Sequence, residues 1–138
     1  MTSSSKGRIL VCDDERGIRE ILARLLRREG YEVLEAADGV AALVVISERA
    51  PDAVFLDIRM PGPDGFEVLR RVKQFRPRLP VIIVTTHAAE TDADAALASG
   101  AQAYLIKPFG HEEILRSLHR VLEERHLGGT GSPGTVAR

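Results

Sequence analysis

Asp13 and Asp14 directly follow the apolar run Ile9-Leu10-Val11-Cys12, and Asp57 directly follows Ala53-Val54-Phe55-Leu56. Lys107 follows Tyr104-Leu105-Ile106 and precedes Pro108. If these runs are parallel strands, their C-terminal ends share one edge and the four side chains converge there. Carboxylates a few ångströms apart repel by about 4 kcal/mol per pair at an effective dielectric near 20, so they need a cation or a proton. Short, oxygen-only ligands favour Mg²⁺ over zinc or copper, and no His/Cys cluster competes for a softer metal. A carboxylate beside a hard cation and a lysine can attack phosphorus and form an acyl phosphate. The cation and the ammonium would neutralise charge on the phosphoryl oxygens. The hydroxyl of Thr85, which ends the run beginning at Val81, is placed to bond one of those oxygens. Singly, these residues have plainer readings: Asp13 and Asp14 as helix caps, Thr85 as an ordinary strand end. Their joint placement favours a metal and phosphoryl site.

The positioning elements alternate. A strand over about 8–12 is followed by a helix carrying Ile18, Ile21, Leu22 and Leu25 at helical spacing, and Gly30 caps it. Residues 31–35 form a strand whose two glutamates suit a sheet edge. Asp38-Gly39 starts a second helix to about Ser47. A third strand covers about 52–56, apolar throughout from Ala53 to Leu56, as expected when both sheet faces are covered. Met60-Pro61-Gly62-Pro63 is a loop, and Asp64 N-caps the next helix with Glu67 as its capping-box partner. Val81–Val84 is the fourth strand. The helix after it, about 88–98, is built from alanines around Leu97; it buries little area and should be loosely anchored. Gly100 ends it. A fifth strand covers about 103–106, and a last helix runs from about His111 to Arg125, burying Ile114, Leu115, Leu118, Val121 and Leu122.

Five strand–helix units predict a doubly wound (βα)5 parallel sheet of flavodoxin-like order 2-1-3-4-5. Strands 1 and 3 then meet at the switch point, and they carry Asp13, Asp14 and Asp57. The 138 residues suit one domain. Residues 1–6 read as a disordered N-terminus, 7–125 as the domain, and 126–138, with Gly128-Gly129-Thr130-Gly131-Ser132-Pro133-Gly134, as a flexible tail or linker. Nineteen basic residues against 20 acidic ones give a net charge of −1, which argues against nucleic acid or membrane as the main partner. No apolar run approaches the ~18 residues of a membrane span, and Met1–Lys6 has no apolar core of a secretory signal. The single Cys12 excludes an internal disulfide, and a cytoplasmic location is expected.

Asp13-Asp14, Asp57-Ile58-Arg59-Met60-Pro61, Asp64-Gly65, Thr85 and Lys107-Pro108-Phe109 together resemble the receiver domain of two-component response regulators, over roughly residues 7–125. The resemblance implies that Asp57 accepts a phosphoryl group from the phosphohistidine of a sensor histidine kinase or phosphotransfer protein. It implies direct Mg²⁺ ligation by Asp14 and Asp57, with Asp13 acting largely through water and the Arg59 backbone carbonyl as the third protein ligand. Lys107 would pair with the phosphoryl group, and the Lys107–Pro108 peptide would be cis. Thr85 and Tyr104 would form the switch, with Tyr104 swinging inward once Thr85 moves. The output face would be the fourth helix, fifth strand and fifth helix. That face would bind a downstream protein, a fused output domain or a second copy of the chain.

Thr86 stands where the family usually has alanine or another very small residue, and its bulk could slow phosphodonor access. Arg59 and His87 occupy positions that tune phosphoryl lifetime in similar domains; a plain solvated role is equally open. The first helix carries Arg16, Arg19, Arg24, Arg27 and Arg28. They form either a solvated face or part of a kinase-docking surface.

Such a domain promotes its own phosphorylation and slow dephosphorylation but is not otherwise an enzyme. The enzyme alternative is a phosphatase of the haloacid-dehalogenase type. It wants a second acid two residues after the nucleophile, where this chain has Arg59, and a cap for which there is no room. A flavin-binding module is opposed by the acidic loop after the first strand. No GxxxxGK[ST] supports a P-loop. A phosphorylation-independent interaction module is a further alternative.

Overall fold

The structure, a computed structural model, describes residues 6–60, 62–85, 90–108, 110–126 and 135–136, with the side chains of 90–93, 125, 126, 135 and 136 left outside the description. The elements in chain order are β1 (Arg8–Cys12), α1 (Arg16–Arg28), β2 (Glu32–Ala36), α2 (Gly39–Arg49), β3 (Ala53–Asp57) and α3 (Gly65–Phe75). There follow β4 (Val81–Thr85), α4 (Glu90–Ala98), β5 (Ala103–Ile106), α5 (His111–His126) and a two-residue β6 (Thr135–Val136). All strand pairs are parallel, in the order β2-β1-β3-β4-β5-β6. The expected 2-1-3-4-5 arrangement is therefore present, with β2 on an edge.

The sheet separates two apolar layers, because alternate residues of each strand point to opposite faces. Leu10, Cys12, Val54, Leu56, Val81, Ile83 and Tyr104 pack with α2, α3 and Ala96 of α4. Ile9, Val11, Phe55, Ile82, Val84 and Leu105 pack with α1 and α5, through Leu22, Leu26, Ile114, Leu118 and Val121. Each such fully buried side chain contributes about 1.5–3 kcal/mol of transfer free energy.

Capping chemistry sets several boundaries. Gly30 takes φ 98 after α1, a conformation that costs a side-chain-bearing residue more. Asp38 Oδ1 accepts from the Ala41 N–H at 2.8 Å and Asp64 Oδ1 from the Glu67 N–H at 3.0 Å. The capping box at Asp64 is only half made, since the Glu67 carboxylate pairs with Arg70 and Arg71 instead.

Two further differences from expectation are informative. The buried stripe of α1 is Leu22, Ala23, Leu25 and Leu26, while Ile21 is 65% exposed. Both sides of this helix carry aliphatic residues, so spacing alone did not give the phase. β6 places Thr135 and Val136, two β-branched residues, on the open edge of β5, within the segment expected to be a tail. Among the described side chains of α4, only Ala96 is buried, as its alanine composition suggested. Among the described residues, no helix is long and apolar enough to cross a membrane.

Candidate metal and phosphoryl site

Strand register brings the chemistry together. Cys12 stands opposite Leu56, so Asp13, one residue on, is level with Asp57. Asp57 stands opposite Val84, and Thr85 opposite Ile106, which leaves Lys107 one step beyond. The Lys107 N–H donates to the Thr85 carbonyl at 2.7 Å, tying the lysine's backbone to the end of β4. The Lys107–Pro108 peptide is cis, as expected.

One carboxylate oxygen from each of Asp13, Asp14 and Asp57 lies within 4.8 Å of the others. Asp13 and Asp57 are buried and Asp14 is exposed at the mouth. The Lys107 ammonium donates to Asp13 Oδ2 at 2.7 Å and lies 3.7 Å from Asp57 Oδ2. Asp13 Oδ1 accepts the Glu15 N–H at 2.9 Å, and Asp57 Oδ1 accepts the Arg59 N–H at 3.3 Å. Both Asp13 oxygens are thus engaged by the protein.

Burial, followed by the charge of Asp13, pushes the Asp57 carboxyl up from 3.8 to about 6; Lys107 and the Arg59 N–H pull the other way. One ammonium does not neutralise three carboxylates, so the donor set retains room for a hard cation: all-oxygen, clustered and net negative. The neighbouring Cys12 is no competing nucleophile or soft ligand. Its thiol packs on Met60 Sδ at 3.5 Å, and burial with nearby carboxylates raises its pKa to about 12.

Thr85 and Tyr104 are buried, at 0% and 1% exposure, on adjacent strands. Tyr104 already belongs to the layer of α2, α3 and α4. Gly65 closes the site from beneath: its N–H donates to the Ile58 carbonyl at 2.8 Å, and a Cβ there would stand 2.5 Å from the Asp57 carbonyl oxygen. Thr86 and His87, expected to affect access and lifetime, lie outside the described residues, as do Pro61 and Phe109 of the motifs. Arg19 was missed as part of this region. Read above as part of either a solvated face or a kinase-docking surface, it is 15% exposed and donates from Nη1 to the Asp13 carbonyl at 2.7 Å.

The response regulator receiver domain model matches residues 9–119. The response regulator MprA of Mycobacterium sp. strain KMS is 44% identical over 115 residues, covering 83% of this chain and 50% of the relative. The MprA of Mycobacterium ulcerans strain Agy99 is 41% identical over 130 residues, covering 94% of this chain and 56% of its own length. A CheY-like receiver domain protein from Methanospirillum hungatei JF-1 superposes with a TM-score of 0.86 at 32% identity, covering 91% of this chain and all of that one. NtrX from Brucella abortus gives 0.85 at 38% identity, covering 89% of this chain and 28% of its own. The fold and its acidic pocket define a two-component receiver. This chain belongs to the response regulator receiver domain family, a class of switch rather than of conventional enzyme. It spans about half the length of the curated relatives it matches.

Proposed function

We propose that this domain accepts a phosphoryl group from a phosphohistidine onto Asp57 in a Mg²⁺-dependent reaction and passes the change to a partner surface. The observation that carries this reading is the convergence of Asp13, Asp14 and Asp57 with Lys107, whose Nζ lies 3.7 Å from Asp57 Oδ2. An Asp57 oxygen attacks phosphorus, the histidine N–P bond breaks, and the electron pair returns to the imidazole nitrogen. Bound Mg²⁺ would supply charge neutralisation for the phosphoryl oxygens. Asp14, Asp57 and the Arg59 carbonyl would hold it directly. Asp13, whose oxygens are occupied by Lys107 and the Glu15 N–H, would act through water. Lys107 orients the transferred group, and the Thr85 hydroxyl, at the end of β4, donates a hydrogen bond to one of its oxygens. Arg59, Thr86 and His87 set access and lifetime.

A groove of about 390 Å³ between α1 and α5, lined by Ile18, Ile21, Leu22, Leu25, Pro108 and Ile114, opens onto Lys107. An apolar surface beside the acceptor suits docking of a sensor histidine kinase or phosphotransfer protein. The output runs through Thr85 and Tyr104 to the face of α4, β5 and α5, where the weakly anchored α4 shifts most easily. That face would take a downstream protein, an output domain or a second copy. Residues 7–125 act as the receiver and 126–138 as tail or linker, and the site of action is the cytoplasm. Neither nucleic acid nor membrane is bound directly.

The test is intact mass after incubation with acetyl phosphate and Mg²⁺, beside Asp57→Asn and a chelated control. One phosphoryl adduct on the wild type alone is expected. An equal adduct on Asp57→Asn, or none by rapid quench with either acetyl phosphate or a phosphorylated kinase, overturns the reading.

A further inference from the structure

The acidic cluster is braced from outside. Arg19, in the first turn of α1, folds back over the β1–α1 loop and donates from Nη1 to the Asp13 carbonyl oxygen at 2.7 Å. Its Nε donates to Glu35 Oε1 on β2 at 3.3 Å. Glu35 Oε2 in turn accepts from Arg27 Nη2 at 3.4 Å, and the same Arg27 nitrogen donates to the Val33 carbonyl at 3.2 Å. On its other side, the Asp13 N–H donates to the Ala36 carbonyl at 3.1 Å.

The Asp13 carbonyl belongs to the peptide unit that joins Asp13 to Asp14. A peptide unit is planar, so fixing its oxygen fixes its rotation. That rotation sets where the Asp13 and Asp14 carboxylates point relative to each other. We propose that Arg19 is a positioning residue: clamped by Glu35, it locks the Asp13–Asp14 peptide plane so that both carboxylates face a divalent cation together with Asp57. The inference rests on the metal reading of the site given above. Residues that orient ligands from behind alter metal affinity by about 10–100-fold when removed, which sets the expected size of the effect. The planar fork of arginine suits a carbonyl and a carboxylate at once; lysine supplies the charge without the fork.

The experiment is calorimetric titration of the 138-residue chain with Mg²⁺ alone, for the wild type, Arg19→Gln, Arg19→Lys, Glu35→Gln and the exposed Arg24→Gln, with thermal unfolding in chelator alongside. Arg19→Gln should weaken Mg²⁺ binding about tenfold, Arg19→Lys should recover part of that loss, and Arg24→Gln should match the wild type. Glu35→Gln, which keeps an acceptor oxygen but removes the charge that clamps the guanidinium, should weaken binding by a smaller factor. A merely structural role would lower the unfolding temperature and leave the Mg²⁺ dissociation constant of the folded chain unmoved. That result in Arg19→Gln overturns the inference. Should Arg19→Gln fail to fold, wild-type constants in both Arg19→Lys and Glu35→Gln overturn it equally. No Mg²⁺ binding by the wild type overturns the metal reading itself, and this inference with it.

Discussion

Asp57 carries a tension that can be measured without any phosphodonor. Its carboxyl is raised to about 6 by burial and by Asp13, whereas an unfolded aspartate titrates near 3.8. A raised carboxyl pKa means the folded state binds the proton more tightly. The resulting stabilisation is fully present below about 3.8 and is lost as pH rises through 6. A shift of that size corresponds to roughly 3 kcal/mol at most. In chelator, wild-type stability should therefore fall between pH 4 and 7 relative to Asp57→Asn, which keeps the shape without the charge. Added Mg²⁺ at pH 8 should raise the wild type and leave the variant nearly unmoved. Parallel pH curves for the two proteins would remove electrostatic strain from the account. At this scale the sequence was generous: Asp13, Asp14, Asp57 and Lys107 were legible because each ends an apolar run. Arg19 was not, because one arginine among five on a helix gives no sign of which turns inward toward a carbonyl.

Among the elements, the approach of α3 to the end of β3 matters most to the site. An alanine Cβ at Gly65 would stand 2.5 Å from the Asp57 carbonyl oxygen and 2.6 Å from Ile58 Cα, both rigid backbone. Gly65→Ala should cost about 1–3 kcal/mol in thermal unfolding and slow adduct formation by displacing Asp57. Gly17→Ala in α1 is the contrast: nothing lies within 4 Å of its Cβ, and it should stabilise by about 0.5–1 kcal/mol. Equal effects from the two would show that local crowding does not decide. A second tie links α3 to the far end of the sheet. Lys73 Nζ donates to the Leu79 carbonyl at 2.6 Å and to Gln102 Oε1 at 3.2 Å, and that same oxygen accepts the Val81 N–H at 2.8 Å. Gln102→Ala leaves a main-chain donor of β4 without its partner and should cost about 1–3 kcal/mol in denaturant unfolding. The kinds and order of elements followed from periodicity and caps. The phase of α1 and the pairing of residues 135–136 with β5 did not, since both depend on contacts between segments distant in sequence.

For the molecule as a whole, the testable matter is how the site reaches a partner. Tyr104 is 1% exposed and packs with the α2–α3–α4 layer, so Tyr104→Ala opens a cavity and should cost about 3–5 kcal/mol while leaving Asp57 able to take the phosphoryl group. Light scattering with and without acetyl phosphate should show phosphorylation-dependent association in the wild type and its loss in Tyr104→Ala. Association that persists in the phosphorylated variant would remove Tyr104 from the output route. The two layers on either side of the sheet carry a last consequence. Among the described residues, those on α1 and α5 share an apolar layer with one another and not with α2, α3 and α4, and the strands lie between the two layers. Surface changes on α1 need no repacking around α4, so under the proposed function lineages descended from such a chain can exchange what they listen to through α1 while keeping the α4 part of the face they address; α5, shared by both surfaces, is the element least free to drift.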